Sequence, residues 1–274
     1  MLILNKFIFE NSGGICVGKT NDNILNEMLY YGFSTRGGGV SEGDLASLNL
    51  GVNRPDKKEN LIENYRRFCG EIGIDYKTLV LPKQIHSTKI VKVTSADCGK
   101  RLVCPSDLPD CDGLITKDDG VALGIFYADC TPVLLFDGKK RCLCLVHCGW
   151  RGTVRGFAFK AVETMVNDFA CDTRNIHAVI GPCIGKCHFE VGEEVKAEFD
   201  KAQLSEYMIE ADEAGKYFAD LKGANREFLL RAGLKDENIT VCEDCTYCNT
   251  DKYFSHRACG KDTGRMAVIA KIKR

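Results

Sequence analysis

Short runs of apolar residues broken by turn residues fill the middle of the chain. Residues 79–85, 90–93, 114–116, 121–127, 133–136 and 142–146 each read as a strand. The last of these, Cys142-Leu-Cys-Leu-Val146, places Cys142 and Cys144 in a buried strand. Elsewhere the apolar period lengthens. Over 58–72, Leu61, Ile62, Tyr65, Phe68 and Cys69 share one helical face, and over 154–169, Phe157, Ala161, Met165 and Phe169 recur every four residues. A further strand is expected at 176–180, ending at Gly181-Pro182, with helices at 193–199 and 220–232. At the start of the chain the pattern predicts a strand pair around a turn at residues 11–14, followed by Phe33 and a glycine-rich loop over 36–43. Strands toward both ends, with helices between and after them, predict an α+β or mixed α/β fold. No low-complexity linker or internal period divides the chain, so a single domain over 1–274 is expected.

Composition narrows the classes. Lys and Arg number 37 against 38 Asp and Glu, which removes a general electrostatic drive toward nucleic acid or an anionic membrane. Hydrophobic residues at 45% and charged residues at 27% are those of an ordinary globular chain, which excludes extended disorder. The longest apolar run, 121–128, is far short of the ~20 residues that span a bilayer. Lys6 and Glu10 interrupt the apolar start, so no secretory leader is expected there. The expectation is a cytoplasmic protein without nucleic-acid or membrane partners, whose 16 cysteines persist as thiols.

Three segments place reactive side chains where predicted strands end: Gln84-Ile-His86-Ser87, Ala128-Asp129-Cys130-Thr-Pro132 and Val146-His147-Cys-Gly-Trp150-Arg151-Gly152. If their strands are neighbours in one sheet, His86, Cys130 and His147 converge. Two imidazoles and a thiolate suit zinc and leave a fourth position open, as a catalytic ion requires. The same residues admit Cys130 as a nucleophile with His147 as base, or three unrelated buried side chains. Thr35-Arg36-Gly37-Gly38-Gly39 is either an anion-binding loop with Arg36 as its fork or a flexible turn. Gly181-Pro-Cys-Ile-Gly-Lys186 lacks the spacing of a phosphate loop. Cys242, Cys245 and Cys248, with Cys259 beyond, have the spacing of a metal knuckle, but a cysteine-rich strand and turn is the favoured reading.

These pieces occur in order over nearly the whole chain. With Asn49-Leu-Gly51, Asp110-Cys-Asp112-Gly-Leu-Ile-Thr116, Ile180-Gly-Pro-Cys-Ile-Gly185, Phe189-Glu-Val191, Ala224-Asn-Arg226 and Thr263-Gly-Arg-Met266, the chain resembles the bacterial YfiH/YlmD family. That family is known both as laccase-domain or polyphenol oxidase proteins and as purine nucleoside phosphorylases. The resemblance implies a four-layer α/β/β/α fold shared distantly with deamidating toxins. It implies one zinc ion on the positions matching His86, Cys130 and His147. It also implies phosphorolysis of adenosine, inosine and methylthioadenosine to free base and ribose 1-phosphate, with adenosine deamination as a second activity. Cys183, Cys187 and the 242–248 run receive no role from it.

A multicopper oxidase builds a mononuclear and a trinuclear centre from many histidines. This chain has five, His86, His147, His177, His188 and His256, and no His-x-His pair. One copper in place of zinc in a His2Cys site stays open, as does a laccase-like polyphenol oxidoreductase built on it. So do a metal-independent cysteine hydrolase using Cys130 and a non-catalytic metal-binding protein. For nucleoside chemistry, Arg36 with Gly37 and Gly38, or Arg151, is expected to hold phosphate, and Asp129 or the metal to assist departure of the base. Trp150 either stacks on the base or walls the pocket. Arg257 and Arg265, in loops near the end of the chain, either approach the site or, the favoured reading, make surface salt bridges, and His177 and His188 are read as structural. The expected partners are a purine nucleoside and phosphate, with the protein a monomer or homodimer.

Overall fold

The computed structural model describes residues 5–274; the apolar positions 1–4, part of the leader reading, lie outside them. The chain opens with β1 (Phe7–Ser12), β2 (Ile15–Thr20), a short helix α1 (Asn23–Met28) and β3 (Leu29–Ser34). After α2 (Lys58–Glu71) come β4 (Leu79–Val80), β5 (Ile90–Lys92), β6 (Gly113–Thr116), β7 (Ala122–Tyr127), β8 (Thr131–Asp137) and β9 (Cys142–Cys148). Helices α3 (Trp150–Val154) and α4 (Phe157–Phe169) then lead to β10 (Ile176–Ile180). The last third holds β11 (Glu190–Gly192), α5 (Glu193–Lys201), β12 (Met208–Glu210), β13 (Lys216–Ala219) and α6 (Leu221–Arg231). It closes with β14 (Ile239–Val241), α7 (His256–Cys259) and β15 (Met266–Ile272). One six-stranded sheet has the order β1-β2-β3-β15-β7-β4, and a second the order β14-β10-β8-β9-β6-β5. A three-stranded sheet, β11-β13-β12, stands apart. The class is α+β with mixed sheets, as expected.

The central strands are apolar on both faces, which is why they read as runs rather than alternations. In β8, Leu134 and Phe136 join a core with Phe33, Tyr127 and Val268 of the first sheet, while Val133 and Leu135 face α4. In β9, Leu143 and Leu145 take the first course, and Cys142, Cys144 and Val146 pack with Phe157, Ala161 and Met165. On the first sheet, Ala267 and Ile269 pack with Tyr65, Phe68 and Cys69 of α2, one residue out of phase with Val268. A one-residue slip in any of these strands would exchange the two cores.

Two expected elements are cut short. The strand read over 79–85 stops at Val80, because the amides of Ile85, His86 and Ser87 bond to the Asp112 carboxylate rather than to a neighbouring strand. The helix read over 154–169 is two helices, separated at Gly156, whose φ of +68° no helix interior allows. Replacing Phe136, fully buried between the two large sheets, with alanine is expected to lower stability by about 3–5 kcal/mol. Equilibrium denaturation reads this as a lower midpoint at unchanged slope.

Candidate functional site

The chain crosses from the first large sheet to the second twice, and both crossings carry a site residue. The link from β7 to β8 is only Ala128, Asp129 and Cys130, with Asp129 at φ +83°. The link from β4 to β5 contains His86, at φ +59°. Pairing of β8 with β9 sets Pro132 opposite His147, which brings His147 beside the mouth of the first link. The three residues therefore meet between sheets, not on neighbouring strands of one sheet as expected. Non-glycine residues at positive φ carry strain that the surrounding contacts must hold, and two of them here flank or bear a reactive group.

One ligand atom from each of His86, Cys130 and His147 lies within 4.8 Å of the others. The imidazole rings of His86 and His147 meet edge to face, with centroids 5.0 Å apart. Asp112 orients the group. Its fully buried carboxylate accepts from His147 Nδ1 at 3.0 Å, from the amides of Ile85 (3.1 Å), His86 (3.0 Å) and Ser87 (2.6 Å), and from Ser87 Oγ at 2.8 Å. An ionised carboxylate can only accept, so His147 holds one proton on Nδ1, and the imidazolium that Cys130 and Asp112 favour against burial turns a second, on Nε2, toward Cys130. Burial opposes the charge on Asp112, but the His147 contact and the amide donors outweigh it and hold its pKa at about 2. Enclosure likewise opposes a thiolate at Cys130. The charge of His147 and hydrogen bonds from both imidazoles prevail and bring the thiol down to about 6. A Cβ on Gly149 would lie 2.9 Å from His86 Cδ2 and 3.2 Å from Cys130 Sγ, so the glycine is what admits both ligands. This donor set fits a zinc-type ion with three protein ligands and one open position.

Two cavities share His86, Ala128, Cys130 and His256 as walls. The first, of about 270 Å³, also presents Arg54, Gln84, His147 and Arg265. The hydrogen bonds of Arg54 and Arg265 go to the backbone carbonyls of Lys261, Thr263 and Gly264 rather than to carboxylates. Burial and the nearby Arg54 push the Arg265 guanidinium down to about 10. The second cavity, of about 250 Å³, is walled by Trp150, Arg151, Phe189 and Arg257. Arg151 lies 4.3 Å over the Trp150 ring and covers one of its faces.

Other expected residues are placed differently. Arg36, Gly37 and Gly38 line neither cavity. The Arg36 guanidinium is turned inward, donating three hydrogen bonds to the carbonyls of Ala46 and Thr250 and stacking on Phe254, so its Nε–Nη2 fork is spent on backbone. Asp129 reaches the second cavity, but both its oxygens are engaged: one accepts from Thr246 Oγ1 at 2.6 Å, the other from the amide of Arg257 at 2.6 Å. That makes it a positioning residue rather than a free acid. Sequence reasoning missed Asp112, Arg54, Gln84 and His256 as site residues and set Arg257 and Arg265 aside as surface residues. Asp112 and Gln84 each stood in a segment quoted for its motif, Asp112 just before the run that becomes β6 and Gln84 beside His86, but Arg54 and His256 carried no signal.

Residues 30–273 match the family described as multi-copper polyphenol oxidoreductase laccase. The chain belongs to this family. Among curated relatives, purine nucleoside phosphorylase YlmD of Geobacillus stearothermophilus is 35% identical over 241 residues, 87% of this chain and 88% of that protein. A purine nucleoside phosphorylase of Bacteroides thetaiotaomicron is 34% identical over 236 residues, 85% of this chain and 87% of that one. The crystal structure of YlmD from Geobacillus stearothermophilus superposes with a TM-score of 0.90 at 31% identity, covering 98% of this chain and all of that one. The YfiH protein of Bacillus licheniformis follows at 0.89 and 30%, covering 97% and 99%. The expected YfiH/YlmD kinship is thereby established. Among the described residues no helix is long and apolar enough to cross a membrane.

Asp112→Asn keeps the shape of this laccase-family site but turns one acceptor oxygen into a donor. Metal affinity, read by competition with a chromophoric chelator, is expected to fall about 10–100-fold. Unchanged affinity would mean that Asp112 does not orient His147.

Proposed function

We propose that the chain is a metal-dependent purine nucleoside phosphorylase. In this reading it acts on adenosine, inosine and methylthioadenosine, releases free base and ribose 1-phosphate, and deaminates adenosine as a second activity. The observation that carries the reading is the junction itself. The His86–Cys130–His147 trio sits where a cavity with two arginines free of carboxylate partners meets one walled by Trp150 and Phe189. Names borne by relatives at 34–35% identity over most of the chain point the same way.

Phosphorolysis needs a phosphate oxygen to attack the anomeric carbon while the C–N bond breaks and the base departs with the electron pair. Arg54 and Arg265 offer a dianion two forks in a partly desolvated cavity, where charge-assisted bonds are strongest. Trp150 and Phe189 offer apolar walls to the purine. His256, common to both cavities, is the group this reading assigns to protonating the departing base. Zinc held by His86, Cys130 and His147 would supply Lewis acidity and an acidified water, the chemistry that base departure and deamination call for. Asp112 keeps His147 aimed, and Asp129 keeps the loop beyond Thr246 against the second cavity. Only two of the five histidines enter the trio, and the one other His/Cys cluster among the described residues contains a single histidine. That leaves nothing from which to build a trinuclear copper centre.

Zinc-loaded protein given inosine is expected to release hypoxanthine and ribose 1-phosphate only when phosphate is present. His147→Ala should lose metal and activity together. Arg54→Ala or Arg265→Ala should raise KM for phosphate by about 10–100-fold, the cost of a charged hydrogen bond, with little change for the nucleoside. Release independent of phosphate overturns the reading. Activity that survives metal stripping but is abolished in Cys130→Ser establishes the cysteine hydrolase instead.

A further inference from the structure

The segments that follow β10 and β14 run side by side. Cys183 pairs with Cys245 in an isolated parallel bridge, and the amide of Thr246 donates to the carbonyl of Cys183 at 3.1 Å. Past the bridge a turn, in which the amides of His188 and Phe189 donate to the Gly185 carbonyl, folds Cys187 and His188 back beside Cys245 and Cys248. One ligand atom from each of the four lies within 4.8 Å of all the others. Cys187 Sγ is 3.6 Å from Cys248 Sγ, and Cys248 Sγ is 3.2 Å from His188 Nδ1. Zinc–sulfur bonds of about 2.3 Å and zinc–nitrogen bonds of about 2.0 Å, set tetrahedrally, hold ligand atoms roughly 3.5–3.8 Å apart. The four atoms thus already surround a point at nearly the spacing a single ion requires.

The surroundings are built for the same purpose. The amide of Gly185 donates to Cys245 Sγ at 3.1 Å, a bond that favours the thiolate and aims its remaining lone pairs. A Cβ on Gly185 would meet Cys187 Sγ at 3.1 Å and Cys245 Sγ at 3.4 Å, so glycine lets both sulfurs approach without displacement. The His188 ring is stacked on Tyr247 at 4.2 Å between centroids, which fixes its plane. Cys245 and Cys248 have the two-residue gap of a zinc knuckle. Buried Cys242, which shares that spacing in the sequence, stays outside the cluster, as does Cys183.

We propose that Cys187, His188, Cys245 and Cys248 bind a second, structural zinc ion in a closed Cys3His site. Four protein ligands leave no open position for substrate, so the ion staples chain rather than performing chemistry. The two segments it joins serve the first site. Ile184 and Phe189 wall the second cavity, the amide of Ile184 donates to the carbonyl of Asp129 at 3.0 Å, and Thr246 bonds the Asp129 carboxylate. The staple thereby holds in place the wall beside Cys130.

The test counts metal in the full chain and does not depend on catalysis. Protein purified from zinc-supplemented medium without chelator is expected to carry two zinc ions per chain by plasma mass spectrometry. Cys248→Ser, at an exposed position that leaves the core untouched, should carry one, and so should His147→Ala. Cobalt(II) added to apo His147→Ala should show intense sulfur-to-cobalt charge transfer with tetrahedral d–d bands, and the Cys248→Ser change should abolish both. The proposal is overturned if the wild type holds one equivalent that Cys248→Ser retains. It is equally overturned if mass spectrometry under non-reducing conditions finds Cys187 and Cys248 joined as a disulfide in freshly purified protein. In either case the His86–Cys130–His147 site stands or falls separately, on His147→Ala.

Discussion

The buried carboxylate of Asp112 joins the parts of the molecule that would otherwise have no reason to meet. It lies just before β6 in the second sheet, yet its acceptors take the amides of Ile85, His86 and Ser87, in a link arriving from the first sheet, and the ring of His147 in β9. A carboxylate with no exposed surface stays ionised only while donors surround it, so the charge and the loop conformation depend on each other. The positive φ of His86 is held in this way, with its amide bound on one side and its ring committed to the trio on the other.

Asp129 performs the corresponding service on the opposite wall. Its backbone also has positive φ, and its carboxylate ties Thr246 and the first turn of α7 to the crossing that bears Cys130. Two buried acids, neither adapted to act as a proton donor, thus hold the ligand loops from both sides. The reactive groups are left free: Cys130 as a thiolate-prone sulfur, and Arg54 and Arg265 as cations whose hydrogen bonds go to backbone carbonyls rather than to carboxylates. Burial and the neighbouring Arg54 both disfavour the charge on Arg265, a cost that an anion between the two guanidiniums would relieve.

The abundance of cysteine separates into distinct uses. Cys142 and Cys144 are core packing against α4, and Cys130 sits on a strained link within reach of His86 and His147. Cys187, Cys245 and Cys248 come together only because two loops from β10 and β14 lie in register. Parallel pairing of those strands explains why the loops leave the sheet at the same end and side by side.

Strand periodicity, the faces of α2 and α4, and the residue types of the trio were all determined by the sequence, because they depend on local spacing and on ligand chemistry. The α+β class follows from the same information. Tertiary structure alone decided which charged groups remain available. Arg36, in a glycine-rich tract that looks open to an anion, is turned onto the carbonyls of Ala46 and Thr250, and Thr250 lies 214 residues away along the chain. Arg265, unremarkable in its sequence, is turned into a cavity beside Arg54. Likewise His86 and Cys130 meet through crossings between two sheets, and Cys187 meets Cys248 across 61 residues. Hydrogen-bond saturation and loop register are properties of contacts distant in sequence, and a linear pattern does not encode them.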